Sequence, residues 1–134
     1  MASYNTLMSA ATTTKGDILC KSKAEMAEII KQGAALPQGD EIWMNSSENM
    51  YPCLSVLVKG QYACVHYFEN DEGRAWQSCG DFDREVTFLA GCEAWEAPDY
   101  VIIPLEKAVD CMEEFWDTLE RPKCIQWEAL WEEG

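Results

Sequence analysis

Two β-rich runs separated by a Lys-Gly pair constrain the fold of this chain more than any other feature. The first run is rich in valine and leucine, the second combines valine with aromatic residues, and a third run follows after a short polar turn. Three consecutive strands joined by short turns predict an antiparallel meander at the centre of a sheet. The runs and their turns are, in chain order, 52–59, Lys59-Gly60, 61–69, 70–73 and 74–79.

One helix is predicted before this meander in the chain, and a second helix is predicted after it. Ser22 followed by Glu25 forms a capping-box pattern and predicts a helix that extends to about Gln32. Pro104 suits the first turn of a second helix, whose apolar residues recur every three or four positions as far as Leu119. Further strands are predicted at 17–20, 41–45, 84–89, 99–103 and 123–130, with a charged loop at 91–98. The pattern predicts an α+β fold in which an antiparallel sheet of about six or seven strands packs with two helices.

The domain organisation follows from length and composition. Residues 1–14 are mostly small or hydroxylated and are predicted to be a flexible leader, while 15–134 are predicted to form a single α+β domain. No secretory signal or membrane-spanning run is recognisable. The seven cysteines lie at least eleven residues apart without a CxxC pair, so they are interpreted as core thiols in a reducing compartment. We therefore expect a cytoplasmic protein.

Negative charge is concentrated in the second half of the chain. Of the net charge of −14, −13 falls within residues 69–134, which also hold five of the six tryptophans. A field of one sign opposes compaction but accelerates encounter with a basic partner. Solubility alone is the competing interpretation of such charge.

The acids of the predicted turns, together with two tryptophans, are the candidate partner-binding residues. Acids in neighbouring loops of a meander can form one patch, and tryptophan is enriched among the residues that dominate binding energy. The helix acids between Glu106 and Glu120 are interpreted as solvated surface that contributes to long-range steering. The predicted partner-binding set is Asp71, Glu72, Trp76, Asp81, Asp83, Glu85, Glu93, Trp95 and Glu96.

Catalytic, metal and cofactor sites find little support in the residue pattern. His66 is the sole histidine, and Cys64 shares its predicted strand face, so a small cytosolic enzyme that uses this pair is an alternative function. No zinc, calcium, phosphate-loop or dinucleotide motif is present, so no metal and no cofactor is predicted. Direct binding of nucleic acid is disfavoured because the ten basic side chains are scattered.

The order of motifs over residues 40–130 resembles the Imm1 group of bacterial immunity proteins, which includes inhibitors of double-stranded DNA cytosine deaminase toxins. The resemblance rests on the runs 54–59 and 63–68, on Trp76, Ser78 and Gly80, on the run 100–103, and on Ala108, Phe115, Arg121-Pro122 and 125–128. Residues 1–39 take no part in it.

This resemblance implies an α+β immunity protein that binds and blocks a cognate toxin domain without catalysis. A toxin that acts on DNA must present a basic cleft to phosphate, and an acidic protein can occupy such a cleft. The expected partner is therefore a basic toxin domain of the deaminase class. A general acidic adaptor or DNA mimic, which would bind several basic proteins and lose affinity in salt, is a further alternative.

Overall fold

An antiparallel sheet with two helices on one face forms the framework of the protein, which confirms the predicted α+β class. The computed structural model describes residues 8–13, 16–46, 48–70, 72–80, 85–91 and 93–130. The helices are α1 (Lys23–Ala35) and α2 (Leu105–Thr118). The strands are β1 (Met8–Thr12), β2 (Gly16–Cys20), β3 (Asp40–Ser46), β4 (Cys53–Lys59), β5 (Tyr62–Phe68), β6 (Ala75–Cys79), β7 (Val86–Ala90), β8 (Glu93–Ala97), β9 (Ile103–Pro104) and β10 (Gln126–Ala129).

Eight of the strands in the described residues form the main sheet, in the order β10-β6-β5-β4-β3-β1-β2, with β9 paired to β5 beyond the end of β6. The strands β4, β5 and β6 are consecutive antiparallel neighbours, so the predicted meander is confirmed. Lys59 pairs with Tyr62 across the first turn, where Gly60 adopts a φ of 60° that most other residues avoid. The strands β7 and β8 form a separate hairpin.

The helix-side core lies between the main sheet and both helices. Alternation along β4 places Leu54, Val56 and Val58 on this side, where all three are fully buried. They share the core with Met26 and Ile30 of α1 and with Met112 and Phe115 of α2. This face is therefore sealed by helices.

The β7–β8 hairpin packs on the opposite face of the main sheet. Leu57 and Cys64, which point away from the helices, form a second buried cluster with Phe88, Ala97 and Ile102. The molecule thus has three layers, with the main sheet in the middle.

The start of α1 has the capping chemistry expected from the sequence, whereas Pro104 lies one residue before α2 and makes no side-chain cap. The Ser22 hydroxyl accepts a 3.2 Å hydrogen bond from the Glu25 N–H, and the Glu25 carboxylate accepts one from the Lys21 N–H at 2.6 Å. Helix α1 continues three residues beyond the predicted end at Gln32. Helix α2 follows Pro104 and ends where Leu119 takes a left-handed conformation with a φ of 54°. Neither helix is long and apolar enough to cross a membrane.

The leader predicted for residues 1–14 is wrong for residues 8–12, which form β1 between β2 and β3. Met8 and Ala10 are fully buried against the helix-side core, and this burial offsets the weak strand preference of alanine and serine. Residues 1–7 and 14 lie outside the described residues.

Three further predictions of local structure are corrected. Most of the predicted loop 91–98 is the strand β8, in which Trp95 and Ala97 point towards the second cluster and Glu96 lies between them. The predicted strand 99–103 is a single 3₁₀ turn over Asp99–Val101 followed by the two-residue β9. The last strand is confined to β10, because Lys123–Ile125 form a bend after α2.

Candidate partner-binding surface

The sheet face opposite the helices carries a groove beside the β7–β8 hairpin, which we call the aromatic groove. Its volume is about 270 Å³. Trp43 is 37% exposed here although it lies within the sheet. The groove is lined by Glu41, Trp43, Ser55, Leu57, His66, Phe68, Ala90 and Trp95.

Strand alternation explains why these side chains share one face. Along β3, Ile42 and Met44 enter the helix-side core, so Glu41 and Trp43 point to the other side. The same period places His66 and Phe68 of β5 beside them. The β7–β8 hairpin forms the remaining side of the groove with Ala90 and Trp95.

Four rings form a continuous series along the groove. The ring centroids of Trp43 and Phe68 are 5.2 Å apart with an interplanar angle of 27°, which is a stacked arrangement. His66 lies 6.3 Å from Phe68 and 6.2 Å from Trp95. The series therefore crosses from the edge of the hairpin to the exposed surface of β3.

Glu41 supplies a carboxylate at this largely apolar site. It is only 9% exposed, and its Oε1 accepts a 2.9 Å hydrogen bond from the Gly91 N–H in the turn of the hairpin. No lysine or arginine among the described residues forms an ion pair with it. Burying a carboxylate is unfavourable unless partners stabilise its charge, so Glu41 is an unusual component of the groove.

His66 is held as a neutral ring. Its Nε2 lies 2.9 Å from the amide oxygen of Gln77, which can only accept, so Nε2 carries the proton. Burial lowers the pKa of His66, while the Gln77 hydrogen bond and the charge of Glu41 oppose that shift. At neutral pH the groove therefore contains an uncharged imidazole.

The structure weighs against a Cys64 nucleophile. The thiol is fully buried, and this burial raises the pKa of Cys64 to about 12, although the Ser78 hydroxyl at 3.7 Å acts in the opposite direction. A thiol with such a pKa is protonated at neutral pH and is a poor nucleophile. In the described part of the chain, no three His, Cys, Asp or Glu side chains are grouped to hold a metal ion.

Four of the predicted partner-binding residues lie on or next to the hairpin. Trp95 lines the groove, and Glu93 occupies the same side of β8 beside Ala90. Glu85, Glu93 and Glu96 are exposed. A hydrogen bond with Glu96, together with its charge, raises the pKa of Glu85, so two carboxyl groups lie close together here.

Trp76 lies on the opposite face of the sheet from Trp95. Its ring packs against the helix-side core, 5.7 Å from Tyr67, and the guanidinium carbon of Arg121 lies 4.5 Å from its centroid. Glu72 is exposed in the turn before β6. The other three predicted residues, Asp71, Asp81 and Asp83, lie outside the described residues. The two tryptophans therefore do not belong to a single patch.

Sequence reasoning did not single out Glu41, Trp43 or Phe68 as binding residues. One signal was present in β3, where Ile42 and Met44 define the buried face and a tryptophan lies between them. A large aromatic residue on the other face of such a strand indicates either a covering layer or a binding surface. The hairpin over this face was hidden because β8 was interpreted as a loop.

The motif Trp76-x-Ser78-x-Gly80 lies where β6 meets β5 and the 3₁₀ turn. The Ser78 hydroxyl accepts from the Val65 N–H at 3.1 Å and donates to the Val101 carbonyl at 2.7 Å. Gly80 follows, and a Cβ at this position would overlap the Ile102 carbonyl. Serine and glycine are thus required here by the close approach of two backbone segments.

The closing motif gathers around Tyr67 on the helix side. Trp127 lies 6.4 Å from the Tyr67 ring and Phe115 lies 6.2 Å from it. The Trp127 indole N–H donates a 2.6 Å hydrogen bond to the Pro122 carbonyl, which fixes the bend after α2. These residues join the end of α2 to β10, so this motif serves the fold.

Comparison with known proteins agrees with this arrangement of motifs. No curated protein sequence gives a significant match. A family model described as Immunity protein Imm1 matches residues 14–129, which is most of the chain. The chain therefore belongs to the Imm1 family, which indicates an immunity protein against a toxin.

Proposed function

We propose that the protein neutralises a toxin that acts on nucleic acid, of the DNA deaminase class, by occupying the basic cleft of that toxin in the cytoplasm. It acts by binding and performs no catalysis. The acidic β7–β8 hairpin beside an open aromatic groove is the observation that carries the proposal. Membership of an immunity-protein family supports the inhibitory role.

Charge supports the choice of a basic partner. The net charge is −14 at pH 7, and the hairpin carries exposed Glu85, Glu93 and Glu96. An enzyme that acts on DNA needs positive potential along its phosphate path. Complementary fields accelerate association and orient the two proteins before contact.

The groove supports a specific complex over general attraction to basic proteins. Large rings that are partly open to solvent provide apolar area that a partner can desolvate. Contacts of that kind persist in salt, whereas purely electrostatic adhesion weakens as ionic strength rises. We therefore centre the proposed surface on the hairpin and groove and assign Trp76 to the fold.

Inhibition can be measured with the purified protein and the toxin domain encoded beside its gene. Deamination of double-stranded DNA should fall to background at a one-to-one ratio, and the two chains should elute together in size-exclusion chromatography. Full toxin activity in the presence of excess immunity protein would contradict the proposal. Inhibition of several unrelated basic enzymes, lost at about 0.5 M salt where screening is strong, would favour the acidic adaptor.

Charge reversal separates the hairpin from the rest of the acidic surface. Changing both Glu93 and Glu96 to Lys should lower the association rate about tenfold or more at low salt, because both side chains would repel the basic cleft. The control changes Glu106 and Glu113, exposed on α2, to Lys in the same way. Equal slowing by both double variants would mean that only net charge matters.

A further inference from the structure

We propose that the aromatic groove receives one arginine side chain of the partner, with the guanidinium stacked on the rings and paired with Glu41. This inference rests on the proposed function, because it names the chemical group with which the toxin would engage the protein. It depends on three observations: the ring series, the buried carboxylate and the size of the groove.

The ring series and the buried carboxylate belong together, because the carboxylate lies beside aromatic faces and has no cationic partner in the described residues. Glu41 is 9% exposed, and among the described residues its carboxylate has one N–H donor, from Gly91. Trp43 and Phe68 line the same groove, and His66 there is neutral. A cation that entered would gain both the attraction of the ring faces and a charge-assisted hydrogen bond.

Arginine fits this arrangement better than lysine does. The guanidinium is planar, stacks on aromatic rings and presents several N–H donors to one carboxylate, whereas an ammonium is compact and strongly hydrated. The protein already uses this interaction on its other face, where Arg121 covers Trp76 at 4.5 Å. The groove provides aromatic rings as Trp76 does, but none of the described residues supplies the cation.

The size of the groove also selects a side chain over a larger ligand. Its volume of about 270 Å³ lies just below the range of about 300–1,000 Å³ that is typical of sites for whole small molecules. One long side chain fills such a space, and the Trp43 ring remains accessible at its mouth. The acids of the hairpin, including Glu93, lie where they attract a positively charged approach.

The test uses N-acetyl-L-arginine amide, with N-acetyl-L-citrulline amide as its uncharged isostere and N-acetyl-L-lysine amide as a second cation. The arginine probe should produce saturable shifts of the Trp43 and Trp95 indole N–H signals in NMR spectra and leave Trp116 unchanged. Citrulline should produce no saturable shift, and lysine should bind several-fold more weakly. Equal binding of citrulline, stronger binding of lysine or no shift with arginine would overturn the inference.

Two variants test the role of each component. Glu41→Gln keeps an oxygen for the Gly91 N–H but removes the charge, so arginine affinity should fall about tenfold, the factor that corresponds to about 1.4 kcal/mol. Trp43→Ala should abolish the shift of Trp95 as well, whereas the control Glu113→Gln, exposed on α2 and away from the groove, should alter affinity less than twofold. Unchanged affinity in Glu41→Gln would overturn the assignment.

Because these probes contain no toxin, the inference and the proposed function can fail separately. Inhibition without arginine binding would leave the immunity role in place and discard the groove as an arginine receptor. Arginine binding without inhibition would retain the groove as an arginine receptor and discard the immunity role.

Discussion

The two faces of the main sheet use aromatic residues in different ways. On the helix side, Tyr67 is surrounded by Trp76, Phe115 and Trp127, and Arg121 covers the ring of Trp76. On the other side, the rings of the aromatic groove stack in series but stay accessible along one edge. The first group is completed by residues of the chain itself, whereas the second leaves a surface that another molecule can cover.

This difference teaches how one sheet can separate stability from recognition. The helix-side core gains most of its free energy by removing apolar area from water during folding. The aromatic groove retains part of its apolar area for release on binding, so substitutions there should affect affinity more than stability. The first two experiments below each compare one residue on each face, and the third concerns a residue of the groove alone.

The largest expected effect is on stability and comes from paired phenylalanine truncations. Phe115→Ala empties a fully buried site and should lower the free energy of unfolding by about 3–5 kcal/mol. Phe68→Ala removes a partly exposed ring from the groove and should cost about 1 kcal/mol. Urea unfolding followed by far-UV circular dichroism measures both. Equal losses would mean that the groove is as much a part of the core as the helix side.

Tryptophan truncations should show the opposite order when binding is measured. Trp95→Ala should weaken toxin binding by about 2 kcal/mol, roughly thirtyfold in Kd, because it removes a wall of the groove. Trp76→Ala should lower stability through the loss of its contacts with Tyr67 and Arg121 but leave the affinity of the folded protein nearly unchanged. Calorimetric titration at a temperature where both variants are folded provides the comparison. A stronger binding defect in Trp76→Ala would place the interface on the other face.

The smallest effect is a pH dependence that belongs to the open face alone, since His66 is the sole histidine. Burial lowers its pKa in the folded state, so the unfolded chain binds more protons near the ordinary imidazole value of about 6.5. His66 therefore contributes stability that is present above that value and is lost as pH falls. The stability advantage of the wild type over His66→Gln should grow between about pH 5 and pH 7 in denaturant titrations. Parallel pH profiles would show that the ring is not desolvated.

The central meander and both helices could be predicted because their signals are local. A glycine turn between two β-rich runs and a serine cap followed by Glu25 each specify structure within a few residues. The strand β1 could not be predicted in the same way, because Ser9, Ala10 and Ala11 carry little intrinsic strand preference. Its place in the sheet depends on partners in β2 and β3.

The proposed partner-binding surface was only partly predictable for a related reason. Trp95 and the hairpin acids were identified from composition, but their neighbours in space come from β3 and β5, far away in the chain. Trp76 looked equivalent to Trp95 because both lie among acids, and the sequence does not contain the position of Arg121 over its ring. The residues that carry the family resemblance at Ser78 and Gly80 serve the fold and therefore do not identify the toxin.

The hydrogen bond between Gly91 and Glu41 has a consequence for thermodynamic linkage. One carboxylate both anchors the turn of the hairpin and lines the groove, so occupancy of the groove and closure of the hairpin are coupled equilibria. A bound cation that stabilises the Glu41 side chain in its present position must also stabilise the closed hairpin, by the same free energy. The exchange rate of the Gly91 amide proton with deuterium is therefore a built-in reporter of occupancy.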